Sequence, residues 1–103
     1  MDLPKILIDG NEYIMEVPKA KMWRVWMKFD KERNSLEPID FIDQHAKIIA
    51  DVFPDLTAGM ILDNMPLDEI ILVYNKCLKA LMGMLSSRLE ELAKNELKAE
   101  SQN

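Results

Sequence analysis

Few side chains in this chain of 103 residues are suited to covalent or acid–base chemistry, and their spacing sets none of them up for it. A nucleophile needs a base within hydrogen-bond reach and a third group to orient that base. Ser35, Ser86, Ser87 and Ser101 have no recognisable motif around them, and the one histidine, His45, falls in an acidic stretch. A zinc site needs three or four nitrogen or sulfur ligands, which His45 and the lone Cys77 do not supply. Asp40 and Asp43 lack the glycine turn and ligand spacing of a calcium loop, so they read as solvated helix charge. The glycines are scattered at Gly10, Gly59 and Gly83, which leaves no phosphate-binding loop. Cys77, inside an apolar helix, reads as a small buried hydrophobe, and His45 as a histidine at the edge of the core. The expectation is a protein that is not an enzyme and that holds no metal or cofactor.

Binding is the chemistry that remains. There are eight methionines, and Met82 and Met84 flank Gly83. Methionine is unbranched and polarisable, so it adapts to varied apolar partners, but the same properties let it fill gaps in a core. Both readings stay open at these positions. A helical glycine costs about 1 kcal/mol against alanine, and Gly83 therefore points to a kink or a close helix contact.

These residues belong to one stretch that organises the chain, a helix expected from Pro66 to about Leu92. Pro66 suits a first helical position, and Asp68 and Glu69 place negative charge in the first turn. Leu67, Ile71, Tyr74, Leu78, Leu81, Leu85, Leu89 and Leu92 recur every three or four residues. Ile70, Val73, Cys77, Met82 and Met84 widen that stripe beyond one face, and a helix apolar on more than one side must bury both. The other elements are too short to cover it all. The uncovered part is expected on the Val73–Leu85 side, with Val73, Cys77, Leu81, Met82, Met84 and Leu85 as candidate partner-binding residues.

The elements upstream must build the body. Lys5–Ile8 and Glu12–Val17 are β-prone runs around Asp9-Gly10-Asn11, a strong hairpin signal because its central residues tolerate positive φ. Tyr13, Met15 and Val17 alternate with Glu12, Ile14 and Glu16. A lone hairpin is marginal in water, so it must lie on the helices or pair through its edge with another copy. Lys19–Glu32 reads as a helix with Met22, Val25, Trp26 and Phe29 on one stripe and Trp23 beside it. Its Lys21, Arg24, Lys28 and Lys31 form a basic ridge, read as a solvated face rather than a nucleic-acid contact. Arg33-Asn34-Ser35 is a polar linker. A second helix from Glu37 or Pro38 to Phe53 turns Phe41, Ile42, Ala46, Ile49, Val52 and Phe53 inward. Pro54-Asp55 stops it, and Thr57 caps a short helix over Ala58–Asn64. The fold class is α+β and mainly helical: an N-terminal β-hairpin and about four helices, the last one long. Residues 1–92 form one domain, and residues 93–103 a polar tail expected to fray.

Composition bounds the partners. Apolar content of 49% fits a globular domain, for which a chain this size buries roughly two-thirds of its unfolded surface. The net charge of −5 argues against general nucleic-acid or anionic-membrane binding. It is unevenly spread: residues 1–35 carry seven bases and six acids, whereas residues 36–75 carry Lys47 alone against eight acids. A homo-oligomer could match those regions head to tail. No signal peptide and no unbroken apolar run of membrane-spanning length is visible, and a single cysteine fits a reducing compartment. The expectation is a cytoplasmic protein.

The order of pieces resembles the small tail assembly chaperones of long-tailed bacteriophages and prophages, in the Gram-positive branch of that family. The likeness runs over roughly residues 5–85. It is carried by IDGNEY in the first hairpin, the Val-Pro after the second strand, KAKMWRVWMKFDK, the helix ending in DVFPDLT, and the NMPLDEI junction into the long helix. The resemblance implies a non-catalytic protein of the bacterial host cytoplasm, absent from the mature virion. Such a protein binds the tape measure protein and keeps it soluble while tube subunits polymerise around it. The major tail protein is a further partner, and a homo-oligomer is expected. It also implies a longer product made by ribosomal frameshifting near the end of the gene. Two other readings are a structural head–tail or tail-completion subunit that forms a ring through hairpin pairing, and a small acidic regulatory protein or inhibitor.

Overall fold

A computed structural model describes the backbone of residues 3–101 and the side chains of residues 3–94. Among these, an antiparallel hairpin, β1 (Lys5–Ile8) and β2 (Asn11–Ile14), precedes four helices: α1 (Ala20–Glu32), α2 (Pro38–Ala50), α3 (Ala58–Asn64) and α4 (Leu67–Ser101). Arg33–Ser35 is a 3₁₀ turn between α1 and α2.

Asp9 and Gly10 make the hairpin turn with φ of 50° and 79°, the positive pair that a tight two-residue connection requires. Pairing of Ile8 with Asn11 and Ile6 with Tyr13 then sets the register. Ile6 and Ile8 are buried, while Lys5 and Leu7 face out. The ladder ends at Ile14, short of the expected Val17, because the next amides find other acceptors. Met15 N–H donates to the Pro4 carbonyl (3.0 Å), and Glu16 N–H to the Val52 carbonyl at the end of α2 (2.8 Å). Met15 is buried as the alternation predicts, but Val17, past the ladder, is 61% exposed. The hairpin lies on the helices, with Ile6, Ile8 and Met15 in the common core.

Pro38 opens α2 at its first turn, where a missing N–H costs nothing. The helix stops at Ala50 rather than Phe53, and Asp55 turns the chain at φ 66°. Val52 and Phe53 are nevertheless buried. The Thr57 side chain accepts from Met60 N–H (3.2 Å) and caps α3 as expected. Pro66 sits one residue ahead of α4, its carbonyl accepting from Ile70 N–H (3.1 Å). α4 runs unbroken through Gly83 and past Leu92 to Ser101, nine residues into the segment expected to be a tail. The stretch AKNELKAES is rich in alanine, lysine and glutamate, all good helix formers, so it continues the helix. At 1.5 Å per residue α4 is roughly 52 Å long. It accounts for most of the 59 Å long axis of the molecule.

The core gathers around Trp26 of α1 and Tyr74 of α4, both fully buried and stacked with ring centroids 5.1 Å apart. Such a pair adds about 0.5–1.5 kcal/mol to what its burial alone contributes. Ile49, Phe53, Ile61 and Leu81 close around it with no exposed surface to speak of.

Candidate docking surface

The side of α4 that faces the body uses Ile70, Val73, Tyr74, Cys77 and Leu81, the i, i+3, i+4, i+7 and i+11 positions of one helix face. Val73, Cys77 and Leu81, expected among the partner-binding residues, are therefore core positions, at 6%, 0% and 0% exposure. Periodicity marks them as apolar but cannot tell a face covered by the chain's own helices from one left open. Burial pushes the Cys77 thiol up to about 12, which makes it inert as a nucleophile.

Beyond Leu81 no described residue of α4 is fully buried. Met82 is 47% exposed, Leu85 37%, Leu89 55% and Leu92 47%, in alternating steps of three and four residues. Met84 is half-buried and packs against the core. Of the six candidates, then, Met82, Met84 and Leu85 reach the surface. Leu89 and Leu92, read in the sequence only as part of the stripe, extend it.

A groove of about 390 Å³ opens where α4 leaves the body. Val17, Pro18 and Trp23 form one wall, and Leu81, Met84 and Leu85 the other. Arg24 and Arg88 stand at its rims, and none of its lining residues is acidic. The Trp23 indole N–H donates to the Leu81 carbonyl at 3.4 Å, which ties the start of α1 to α4 at this point. Two more depressions follow α1 outward. One is lined by Val17, Met22 and Val25 and the other by Trp23, Val25 and Met27, with Lys21 on both. The two tryptophans, both expected in the core, thus part company: Trp26 is the centre of the core and Trp23 a groove wall. Lys21, Arg24, Lys28 and Lys31 are exposed, and the first three border apolar surface rather than open solvent alone.

Between α1, α2 and α4 lies a polar cluster that the sequence does not announce. The Tyr74 hydroxyl donates to Asp30 Oδ1 (2.8 Å), and the Arg33 guanidinium stacks over the Tyr74 ring at 4.4 Å. Arg33 Nη1 and Asp30 Oδ1 are 3.8 Å apart, an ion pair too long to be a hydrogen bond. Burial, reinforced by the Asp30 hydrogen bond, pushes the Tyr74 hydroxyl up to about 12. His45 is fully buried, deeper than the core's edge, among the rings of Phe29, Phe41 and Tyr74. Its Nδ1 lies 2.6 Å from the Phe41 carbonyl, which can only accept, so Nδ1 carries the hydrogen. Nε2 has no partner among the described residues, and burial holds the imidazole below its usual value and therefore neutral near pH 7. These groups lock helices together. Arg33, read as linker, is a clamp, and the Asp30–Arg33 spacing at the end of α1 was its only sequence trace.

Among the described residues no group of three His, Cys, Asp or Glu side chains is placed to hold a metal ion. Within Leu67–Lys94 an 18-residue window reaches a mean hydropathy of 1.2, with 28% of it buried, so α4 has the length and composition of a membrane-crossing helix. Lys76 and Lys79 interrupt the run, which is why the sequence shows no unbroken apolar span. The buried share of that helix is the core face described above. No protein-family model, curated protein or solved structure matches this chain.

Proposed function

We propose that this chain is a tail assembly chaperone of a long-tailed phage or prophage: a non-catalytic binder that holds the tape measure protein soluble during tube assembly. One observation carries the reading, the stripe of Met82, Leu85, Leu89 and Leu92 left open on the projecting half of α4. An apolar helix face of this kind can lie along an apolar helical segment of another chain and take it out of water. Met82 and Met84 let the contact adjust to segments that differ in sequence. The resemblance over residues 5–85 supplies the identity of the partner. The surface chemistry supplies the means of holding it.

Co-expression with a phage tape measure protein, followed by pull-down in low and high salt, tests this. The long partner should become soluble and co-purify in both conditions, since apolar contact is insensitive to ionic screening. Met82→Glu combined with Leu89→Glu should abolish co-purification with far-ultraviolet helicity unchanged. An insoluble partner beside a freely soluble chain defeats the reading.

A further inference from the structure

We propose that the α1–α4 groove is a second docking site, separate from the stripe, for an acidic amphipathic helix of another protein. Val17, Pro18 and Trp23 form one wall and Met84 and Leu85 the other, and of the stripe residues only Leu85 takes part. The two depressions along α1 share walls with this groove. Val17 and Pro18 line one of them, Trp23 and Arg24 the other, and Lys21 and Val25 line both. One apolar trough therefore follows the outer face of α1. It has no strand in its lining at the α1–α4 end, where side chains of two helices wall a volume of about 390 Å³. Such a site receives a partner through that partner's side chains, as a groove receives the apolar face of a helix.

Charge decides which helix fits. The chain carries a net charge of −5, yet Lys21, Arg24 and Lys28 border the trough, and among the described residues no carboxylate pairs with any of them. Arg88 stands on the opposite wall, paired with its own Glu91 at 3.1 Å. Glu16 and Asp51 line only the depression that includes Val17 and Val52, and the charged residues of the other two are all bases. Unpaired bases beside apolar surface gain most from carboxylates that arrive next to apolar anchors, where binding excludes water. A basic helix would meet like charge. An anionic membrane fits less well, because the trough is concave and the chain as a whole is acidic. The Trp23 indole, tied to the Leu81 carbonyl, holds its wall in place before a partner arrives.

This inference does not need the chaperone reading, because its test contains only this chain and synthetic peptides. The probes are two alanine-based helical peptides with the same leucine stripe, one flanked by glutamate and the other by lysine. Trp23 is the reporter. Trp26 is already fully buried, so covering the trough shifts the emission of Trp23 to the blue, and Trp23→Phe removes that change. The glutamate peptide should bind about tenfold tighter than the lysine peptide and should weaken severalfold as salt rises. Arg24→Glu, at an exposed position, should lower the affinity for the glutamate peptide about tenfold and raise it for the lysine peptide, with helicity unchanged. Leu89→Glu with Leu92→Glu should leave the glutamate peptide bound as before, which separates this site from the stripe. No binding of either peptide, equal binding of both, or an affinity indifferent to Arg24→Glu overturns the proposal. So does loss of the peptide with the Leu89 and Leu92 changes, which would place it on the stripe. A blue shift on phosphatidylglycerol vesicles without peptide binding also overturns it, and would make the trough a membrane face.

Discussion

The two halves of α4 carry the same apolar spacing and meet opposite fates. From Ile70 to Leu81, five side chains are buried in the common core, with α1 and α2 packed against this part of α4. From Met82 to Leu92, four of the same kind are 37–55% exposed. The difference lies in the neighbours: α1 begins at Ala20, and Val17, Pro18, Ala20, Trp23 and Arg24 are the residues outside α4 that line the groove with Leu85. A helix that needed only to complete this core could end near Leu85. The extension is stabilised by local helix preference rather than by the body, and the apolar face of its described residues is left open.

Truncation separates the halves most strongly. Leu81→Ala removes a side chain with no exposed surface and should cost about 2–5 kcal/mol in urea unfolding. Leu89→Ala, measured at concentrations where the chain is monomeric, should cost less than about 0.5 kcal/mol. Equal costs would mean that the projecting half is packed against the body.

The second contrast is in pH. Burial is the largest influence on His45 and lowers its pKa from 6.5, outweighing the hydrogen bond to the Phe41 carbonyl that raises it. Above about pH 6.5 both folded and unfolded chains are neutral at this residue and it contributes no pH dependence. As pH falls below that, the unfolded chain binds a proton that the folded chain resists, and stability drops. The urea midpoint should therefore fall between pH 7.5 and 5.5, and His45→Phe should flatten that part of the profile. The cluster joins only the near half of α4, so the helicity of the far half should not follow the titration. A profile unchanged by His45→Phe would assign the acid sensitivity to carboxylates.

Tyr74→Phe sharpens the near half further. It deletes one hydrogen bond to Asp30, a side chain 41% exposed that water can re-solvate, so about 0.5–1.5 kcal/mol is expected. A larger loss, also seen with Arg33→Met, would show the stacked guanidinium and the hydroxyl acting as one unit, which a double-mutant cycle in denaturant measures.

Local chemistry was the legible part of this chain. Asp9-Gly10, Pro38 and Thr57 each act within a few residues, and each turn, start or cap sits where those residues demand. The reach of α4 is less legible, because residues 93–101 carry no cap signal while seven of the nine are good helix formers. The candidate site was half legible. Period 3.6 finds apolar positions, but Val73 and Leu81 differ from Leu85 and Leu89 only in what folds back over them. Tyr74 and Asp30 lie 44 residues apart, and nothing local links them. The same limit hid the separation of Trp23 from Trp26, which depends on where α1 crosses α4.

The smallest expected effect tests whether the far half is free in the monomer. Arg88 and Glu91 form a 3.1 Å pair on that half, with side chains 69% and 62% exposed. Exposed helical pairs three or four residues apart contribute about 0.2–0.5 kcal/mol and weaken with salt. A double-mutant cycle of Arg88→Ala and Glu91→Ala, measured at low protein concentration, should return a coupling in that range that fades at high salt. A coupling above about 1 kcal/mol that survives salt would require both groups to be held and partly desolvated by the subunit itself. The stripe beside them would then be covered as well, and the two halves of α4 would no longer differ in kind.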